Sequence, residues 1–269
     1  MIMRQIFFPL AIVMVLIGEA CMAQENGELT VPFSEPGKAG KVRIDIKKGS
    51  VEVQGTQRKD VLITYKSRAG RNMPETTSDG LKRISGAAMD LEVSEKHNYI
   101  DIQSDSWNSG VDIVVEVPVV VNLHVETYND GEIVIKNIKG EIVADNYNGG
   151  ISADEIEGSL VANTYNGGIK VAFNKITPET PMAFTTYNGD VDITLPAGFK
   201  ASLKMKTSRG EIFSGFDMDV MKNTPVTKTE KKSGTYKVYL DDWVRANVNG
   251  GGPEFMIKNY NGDIFLRKK

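Results

Sequence analysis

From Lys41 onward, apolar side chains recur at every second position over short stretches: Val42, Ile44 and Ile46, then Val51 and Val53, then Val61, Ile63 and Tyr65. Successive side chains of a strand point to opposite faces, so this period predicts half-buried strands. The interruptions Lys47-Lys48-Gly49-Ser50 and Gly55-Thr56-Gln57-Arg58 predict the turns between them. Residues 67–88 lose the alternation and read as a long surface excursion, with one short helical turn around Leu81 to Ile84. Strand texture returns at 89–93, 99–103 and 111–117, where Pro118 stops it. Nowhere does the pattern offer a helix long enough to cover a parallel sheet, which argues against doubly wound and barrel α/β folds. The chain is predicted to be all-β.

From Leu123 a phrase repeats. Thr127-Tyr-Asn-Asp-Gly-Glu-Ile133 is followed by Asn146-Tyr-Asn-Gly-Gly-Ile151, Thr164-Tyr-Asn-Gly-Gly-Ile169, Thr186-Tyr-Asn-Gly-Asp-Val191, Thr207-Ser-Arg-Gly-Glu-Ile212 and Asn259-Tyr-Asn-Gly-Asp-Ile264. The turn glycines Gly131, Gly149, Gly167, Gly189, Gly210 and Gly262 are separated by 18, 18, 22, 21 and 52 residues. Steps of about 20 mark a repeat architecture. Within a unit the turn is followed by a short alternating strand, a second turn at Gly140 or Gly158, and another strand leading back to the phrase. Asn-Gly is read as a conformational device, because asparagine tolerates positive φ and glycine adopts it freely. Tyr128, Tyr147, Tyr165, Tyr187 and Tyr260 precede the turns and form a ladder that either braces the corner or meets a ligand.

Two architectures fit. Asn-Gly turns also build hairpins, so a β-meander stays open. A β-solenoid, in which each strand pairs with its equivalent one repeat later, accounts better for like residues recurring in register. It predicts an inward apolar ladder of Ile133, Ile151, Ile169, Val191, Ile212 and Ile264, with the tyrosines stacked and the turn asparagines along one edge. The 52-residue step is then expected to hold about one and a half further coils and a loop over 222–234. The closing Arg267-Lys-Lys269 would discourage growth from an open end.

The segments Asp112-Ile-Val-Val-Glu-Val-Pro118 and Leu123-His-Val-Glu-Thr127, with the ladder of Asn-Gly turns, resemble the bacterial family of candidate adhesins also called domain of unknown function 4097. Asp192-Ile-Thr-Leu-Pro196, Leu203-Lys-Met-Lys-Thr207 and Gly210-Glu-Ile212 look like a second copy of the same text. The likeness runs from Lys41 to the C-terminus and is strongest over 111–215. It implies an exported, β-helix-like domain without a catalytic set. The adhesin label rests on architecture and surface location.

The first 23 residues carry Arg4, an apolar run from Ile6 to Gly18 and a small-residue exit ending at Ala23, the plan of a secretory signal peptide. The run, about 13 residues, is short for a transmembrane helix, and no second one occurs. Cys21, the one cysteine, would leave with it. Lipid anchoring there is disfavoured by the preceding Gly-Glu-Ala. The resulting plan is a signal peptide at 1–23, a leader or first edge at 24–40, and one β-solenoid domain at 41–269 with loop insertions near 67–88 and 215–253.

Composition narrows the function. The net charge is -3, and the charges are mixed along the chain, so no basic field exists for nucleic acid. His97 and His124 are the only imidazoles, and no sequence spacing joins them to each other or to a carboxylate pair, so no metal or cofactor is expected. His124 reads as an outward strand residue. The acid pairs Asp190 with Asp192, Asp217 with Asp219, Asp241 with Asp242, and Asp154 with Glu155 read as solvated charge rather than catalytic carboxylates. No Gly-x-Ser-x-Gly elbow is present. The expectation is a non-enzymatic, exported structural or interaction module at the cell envelope, meeting an envelope protein or a glycan. A carbohydrate-binding module using the tyrosine ladder and a polysaccharide-cleaving solenoid enzyme are the alternatives.

Overall fold

A computed structural model describes residues 26–68, 90–221, 228–232, 235–239 and 243–269, with the backbone alone described for 228–232 and 235–239. The signal-peptide segment 1–23 and most of the excursion at 67–88, including its expected helical turn, lie outside the described residues. Every element among the described residues is a strand, and all but the hairpin Lys228–Lys232 with Thr235–Tyr239 join a single 20-stranded sheet.

The sheet is built from coils of two strands each. In Val121–Asn129 the alternation is read directly into burial: Val121, Leu123, Val125 and Thr127 point inward, while Asn122, His124, Glu126 and Tyr128 point outward. The chain turns at Gly131 and returns as Ile133–Lys136. The next coil, Lys139–Asn148 and the first part of Ile151–Asn166, pairs with it in parallel, setting Ile142 against Leu123 and Ile151 against Ile133. The same register then joins Ile151 to Ile169, Ile169 to Val191 and Val191 to Ile264. Coils pair in parallel throughout, so the meander is excluded, and antiparallel pairing is confined to the strands at the ends of the stack and the isolated hairpin. The inward residues of both strand columns meet in one core, whose largest fully buried side chains are Phe173, Phe184 and Phe255.

Spatial order departs from chain order at both ends. The coil of Gly40–Lys48 and Val51–Thr56 lies between that of Tyr99–Ser104 and Val111–Pro118 and that of Val121–Asn129 and Ile133–Lys136. At the other end, the coil of Glu254–Lys258 and Ile264–Lys268 inserts between that of Met182–Thr185 and Val191–Leu195 and that of Ala201–Lys206 and Ile212–Ser214. Two expectations are corrected here. Among the described residues, the 52-residue step adds no further coil beyond Ile212. It leaves the stack as Asp219–Val220 and returns as Val244–Val248, antiparallel to Ala201–Lys206, and its last coil fills the slot between Val191 and Ile212. Arg267-Lys-Lys269 therefore guards no open end: Arg267 pairs with Asp192 at 2.7 Å, and Lys269 Nζ donates to Asn174 Oδ1. The physical reason is pairing, since a strand placed inside the stack satisfies backbone groups on both of its edges.

The first end has the same plan. Glu92–Lys96 lies antiparallel on Tyr99–Ser104, Asp60–Ser67 lies antiparallel on Val111–Pro118, and Asn26–Pro32 adds outside Asp60–Ser67. Part of the segment 24–40 is thus an edge strand.

At the corner the coils approach closely. A Cβ on Gly167 would lie 2.2 Å from the Gly149 carbonyl oxygen, one on Gly149 1.9 Å from that of Gly131, and one on Gly131 1.8 Å from that of Gly49. Gly150 is one position along, and its Cβ would meet nothing nearer than 3.4 Å. Gly167→Ala is expected to destabilise by about 1–3 kcal/mol through overpacking, whereas Gly150→Ala leaves stability almost unchanged. Thermal unfolding of the two variants checks the contrast, and equal melting temperatures would refute it.

Candidate functional site

The corner phrase places four kinds of side chain in columns. One residue before each tyrosine, a buried Thr or Asn donates to a turn carbonyl in the coil beneath: Thr127 Oγ1 to Gly49 at 2.9 Å, Asn146 Nδ2 to Gly131 at 3.0 Å, Thr164 Oγ1 to Gly149 at 2.8 Å, Thr186 Oγ1 to Gly167 at 2.7 Å and Asn259 Nδ2 to Gly189 at 2.8 Å. The tyrosines stack face to face. Centroid separations are 4.6 Å for Tyr128 and Tyr147, 5.1 Å for Tyr147 and Tyr165, 4.8 Å for Tyr165 and Tyr187, and 4.6 Å for Tyr187 and Tyr260, with interplanar angles of at most 8°. Trp107 closes one end edge-on to Tyr128 at 5.0 Å, and the Arg209 guanidinium covers Tyr260 at 5.5 Å. Beside them the turn asparagines form an amide chain, each Nδ2 donating to the previous Oδ1: Asn148 to Asn129, Asn166 to Asn148, Asn188 to Asn166 and Asn261 to Asn188, at 2.7–2.8 Å.

This chain corrects the reading of Asn-Gly. None of these asparagines has positive φ; Asp130 takes it in the one longer turn, and Gly149, Gly189 and Gly262 take it at φ 158°, 138° and 130°. The asparagines are there for their amides, and the glycines, beyond those three conformations, for the close approach of backbones. Sequence reasoning missed the Thr and Asn that precede each tyrosine, although their position was printed in every copy of the phrase.

Two residues before each tyrosine, a second outward column forms one wall of a groove of about 620 Å³ whose other wall is Trp107, Tyr128, Tyr147 and Tyr165. Strand register sets Asp45, Glu126, Asp145 and Asn163 side by side in it. Like charges in direct opposition need compensation. Arg43 Nη2 meets Asp45 at 2.7 Å and Glu126 at 3.5 Å, its Nη1 meets Asp101 at 3.3 Å, and Lys47 Nζ meets Asp45 at 2.7 Å. Burial pulls the Arg43 guanidinium down, but the hydrogen bond and charge of Asp45, with Glu126 and Asp101, outweigh it and hold its pKa above the ordinary arginine value.

The register also corrects the expectation that His124 joins no carboxylate pair. Its Nε2 lies 2.7 Å from Glu126 Oε1, two residues along the same strand, and 3.6 Å from Asp145 Oδ2 on the next coil. The three ligand-type atoms lie within 4.8 Å of one another, the one grouping among the described residues able to hold a metal. His97 stands apart in a turn with φ 53°. Of the acid pairs, Asp190 Oδ1 accepts the Asp263 amide, Asp192 pairs with Arg267, and Asp154 accepts the Glu155 amide. Asp217 and Asp219 are exposed, and Asp241 with Asp242 lies outside the described residues.

Parallel coils held by laddered corners define an all-β, solenoid-like repeat protein. The chain belongs to the family described as Toastrack DUF4097, whose model matches residues 23–241. Among solved structures it is similar to a candidate cell adhesion protein from Clostridium sporogenes, at 11% identity and a TM-score of 0.49, over 91% of this chain and 100% of that one. It is also similar to a candidate adhesin from Bacteroides fragilis, at 11% identity and a TM-score of 0.39, over 91% of this chain and 98% of that one. No curated protein matches the chain.

Two substitutions separate the columns. Tyr165→Leu removes two stacking contacts worth about 0.5–1.5 kcal/mol each, so a loss of about 1–3 kcal/mol is expected in denaturant unfolding, with Tyr165→Phe near wild type. Asn146 Oδ1 is buried with no hydrogen-bond partner among the described residues. Asn146→Thr would copy Thr127 and Thr164, keep the bond to Gly131 and remove that orphan while giving up the longer bond from Nδ2 to the Gly150 carbonyl at 3.3 Å; stability in the same assay is expected to stay within about 1 kcal/mol of wild type, on the stabilising side.

Proposed function

We propose that the protein is a non-enzymatic, exported structural or interaction module of the cell envelope, related to adhesion, whose stacked corner holds a rigid binding edge. The observation that carries this reading is the tyrosine ladder beside the open groove. Each internal ring has both faces covered by neighbouring rings, so the ladder's aromatic surface braces the coils and offers a partner only its edges and hydroxyls. Tyr128, Tyr147 and Tyr165 are nevertheless 40–41% exposed, and Trp107 is 52% exposed at the end of the row. A surface that is both structural and accessible suits an extended macromolecular contact.

The same geometry weighs against sugar stacking along the ladder, which requires free ring faces. It weighs against polysaccharide cleavage as well, because the carboxylates of the groove are each engaged by a neighbouring cation or donor. Export is supported by the arginine-led apolar N-terminus ending at Ala23. No helix among the described residues is long and apolar enough to cross a membrane.

Fractionation of cells producing the full chain, with N-terminal sequencing, tests export: the expected product starts near Gln24 outside the cytoplasm, and an intact cytoplasmic chain would refute it. Binding to isolated envelope material tests the interaction. Replacing Tyr147, Tyr165 and Tyr187 together with Leu is expected to lower the melting temperature and envelope binding in parallel. Unchanged stability with lost binding would make the ladder a contact surface alone, and no envelope binding by the wild type would leave only a structural role.

A further inference from the structure

We infer that His124, Glu126 and Asp145 form a binding site for a zinc-class divalent metal ion beside the groove, with Glu126 and Asp145 in its wall. The inference stands independently of the adhesion reading. Tetrahedral zinc with bonds of about 2.0–2.1 Å holds its ligand atoms about 3.4 Å apart. His124 Nε2 and Asp145 Oδ2 are already 3.6 Å apart, and His124 Nε2 and Glu126 Oε1, now 2.7 Å apart, need to open by less than 1 Å. All three ride on adjacent parallel strands, Val121–Asn129 and Lys139–Asn148, whose spacing is fixed by the corner ladders.

The oxygens not aimed at His124 are held from outside the trio. Asn163 Nδ2 donates to Asp145 Oδ1 at 2.8 Å, and Arg43 Nη2 lies 3.5 Å from Glu126 Oε2. Such partners orient each carboxylate for one-oxygen ligation, the arrangement seen around metal ligands. Charge agrees. Among the described residues, Asp45, Asp101 and Glu126 pair with Arg43 and Lys47 as permanent cations and Asp145 has its ion pair with His124 alone, so the patch carries a negative surplus that a divalent ion would neutralise. An imidazole with two carboxylates favours zinc-class ions over calcium, which prefers six to eight oxygens. With three protein ligands, a further coordination position is left for water or for an oxygen of a bound partner.

His124 also stands where the surface changes character. Four residues before the other ladder tyrosines are Val143, Val161, Ala183 and Met256; only the first copy has an imidazole there, and none of the others offers the nitrogen or oxygen ligand a zinc-class ion takes. The site is therefore expected once per chain.

Calorimetric titration of zinc chloride into the full chain tests the inference. One ion per chain is expected to bind, with affinity reduced at least about 10-fold in His124→Gln and in Asp145→Asn, and unchanged in His97→Asn. Asp145→Asn keeps an oxygen for Asn163 and so guards against a folding artefact. The cobalt-loaded wild type should show the intense visible absorption of a tetrahedral ion. Absence of stoichiometric zinc binding overturns the inference. Equal binding by the wild type, His124→Gln and Asp145→Asn overturns it too, as does loss confined to His97→Asn.

Discussion

The structure depends on one close approach. At each corner the turn glycine rests on the carbonyl of the glycine in the coil below, at a distance that excludes any Cβ. That contact locks the register of neighbouring coils, and a locked register turns every recurring residue into a column. Apolar positions become the core, tyrosines become a stack, and asparagines become a chain of amides. The buried Thr and Asn of the phrase give the crowded carbonyls donors from the adjoining coil, so polar backbone that cannot reach water is still paired. The ladders are thus consequences of the glycine contact as well as reinforcements of it.

A stack of parallel coils has two exposed ends, each a template for unwanted pairing. Here each end is handled by excursions from the regular repeat. Asn26–Pro32, Asp60–Ser67 and Glu92–Lys96 cover one end with antiparallel strands, and Val244–Val248 with Asp219–Val220 covers strand Ala201–Lys206 at the other. The chain then returns inward to finish as Ile264–Lys268, between two coils laid down earlier. Placing the last coil inside the stack ties a region near the C-terminus to coils far away in sequence. Unravelling from that terminus would have to break pairing on both edges of one strand, a more cooperative event than peeling an outer coil.

The strands, their faces and the corner phrase were legible in the sequence because alternation and repetition are direct traces of pleat and stacking. The order of the coils was not. Val191, Ile212 and Ile264 are equivalent members of the inward ladder, and nothing in their chemistry states that Ile264 lies between the other two. Local pattern determines what a strand can pair with, whereas the choice among equivalent partners belongs to closure of the whole chain. The grouping of His124, Glu126 and Asp145 was hidden for a narrower reason. Counted from the turn glycines, Glu126 and Asp145 fall out of phase, because Asp130 adds a residue to the first turn. Counted from Tyr128 and Tyr147, both stand two positions before, and the column appears.

That column lies outside the corner phrase and varies from coil to coil where the phrase does not. The tyrosine, its preceding Thr or Asn, the following asparagine and the glycine are all engaged in holding one coil to the next. The outward position two before the tyrosine makes contacts of a different kind, ion pairs and one amide bond between side chains on the open face, as where Asn163 donates to Asp145 and Arg43 meets Glu126. It runs from Glu126 through Asp145, Asn163 and Thr185 to Lys258 in register, from acidic to neutral to basic along a straight edge. A rigid row whose charge changes sign along its length presents a polarity that a flexible loop would average away. A partner with extended, oppositely graded charge would meet it in one orientation only, since the reversed orientation sets like charges against each other. The variable residues of that column supply the charge gradient, and the monotony of the corner phrase is what keeps them in line.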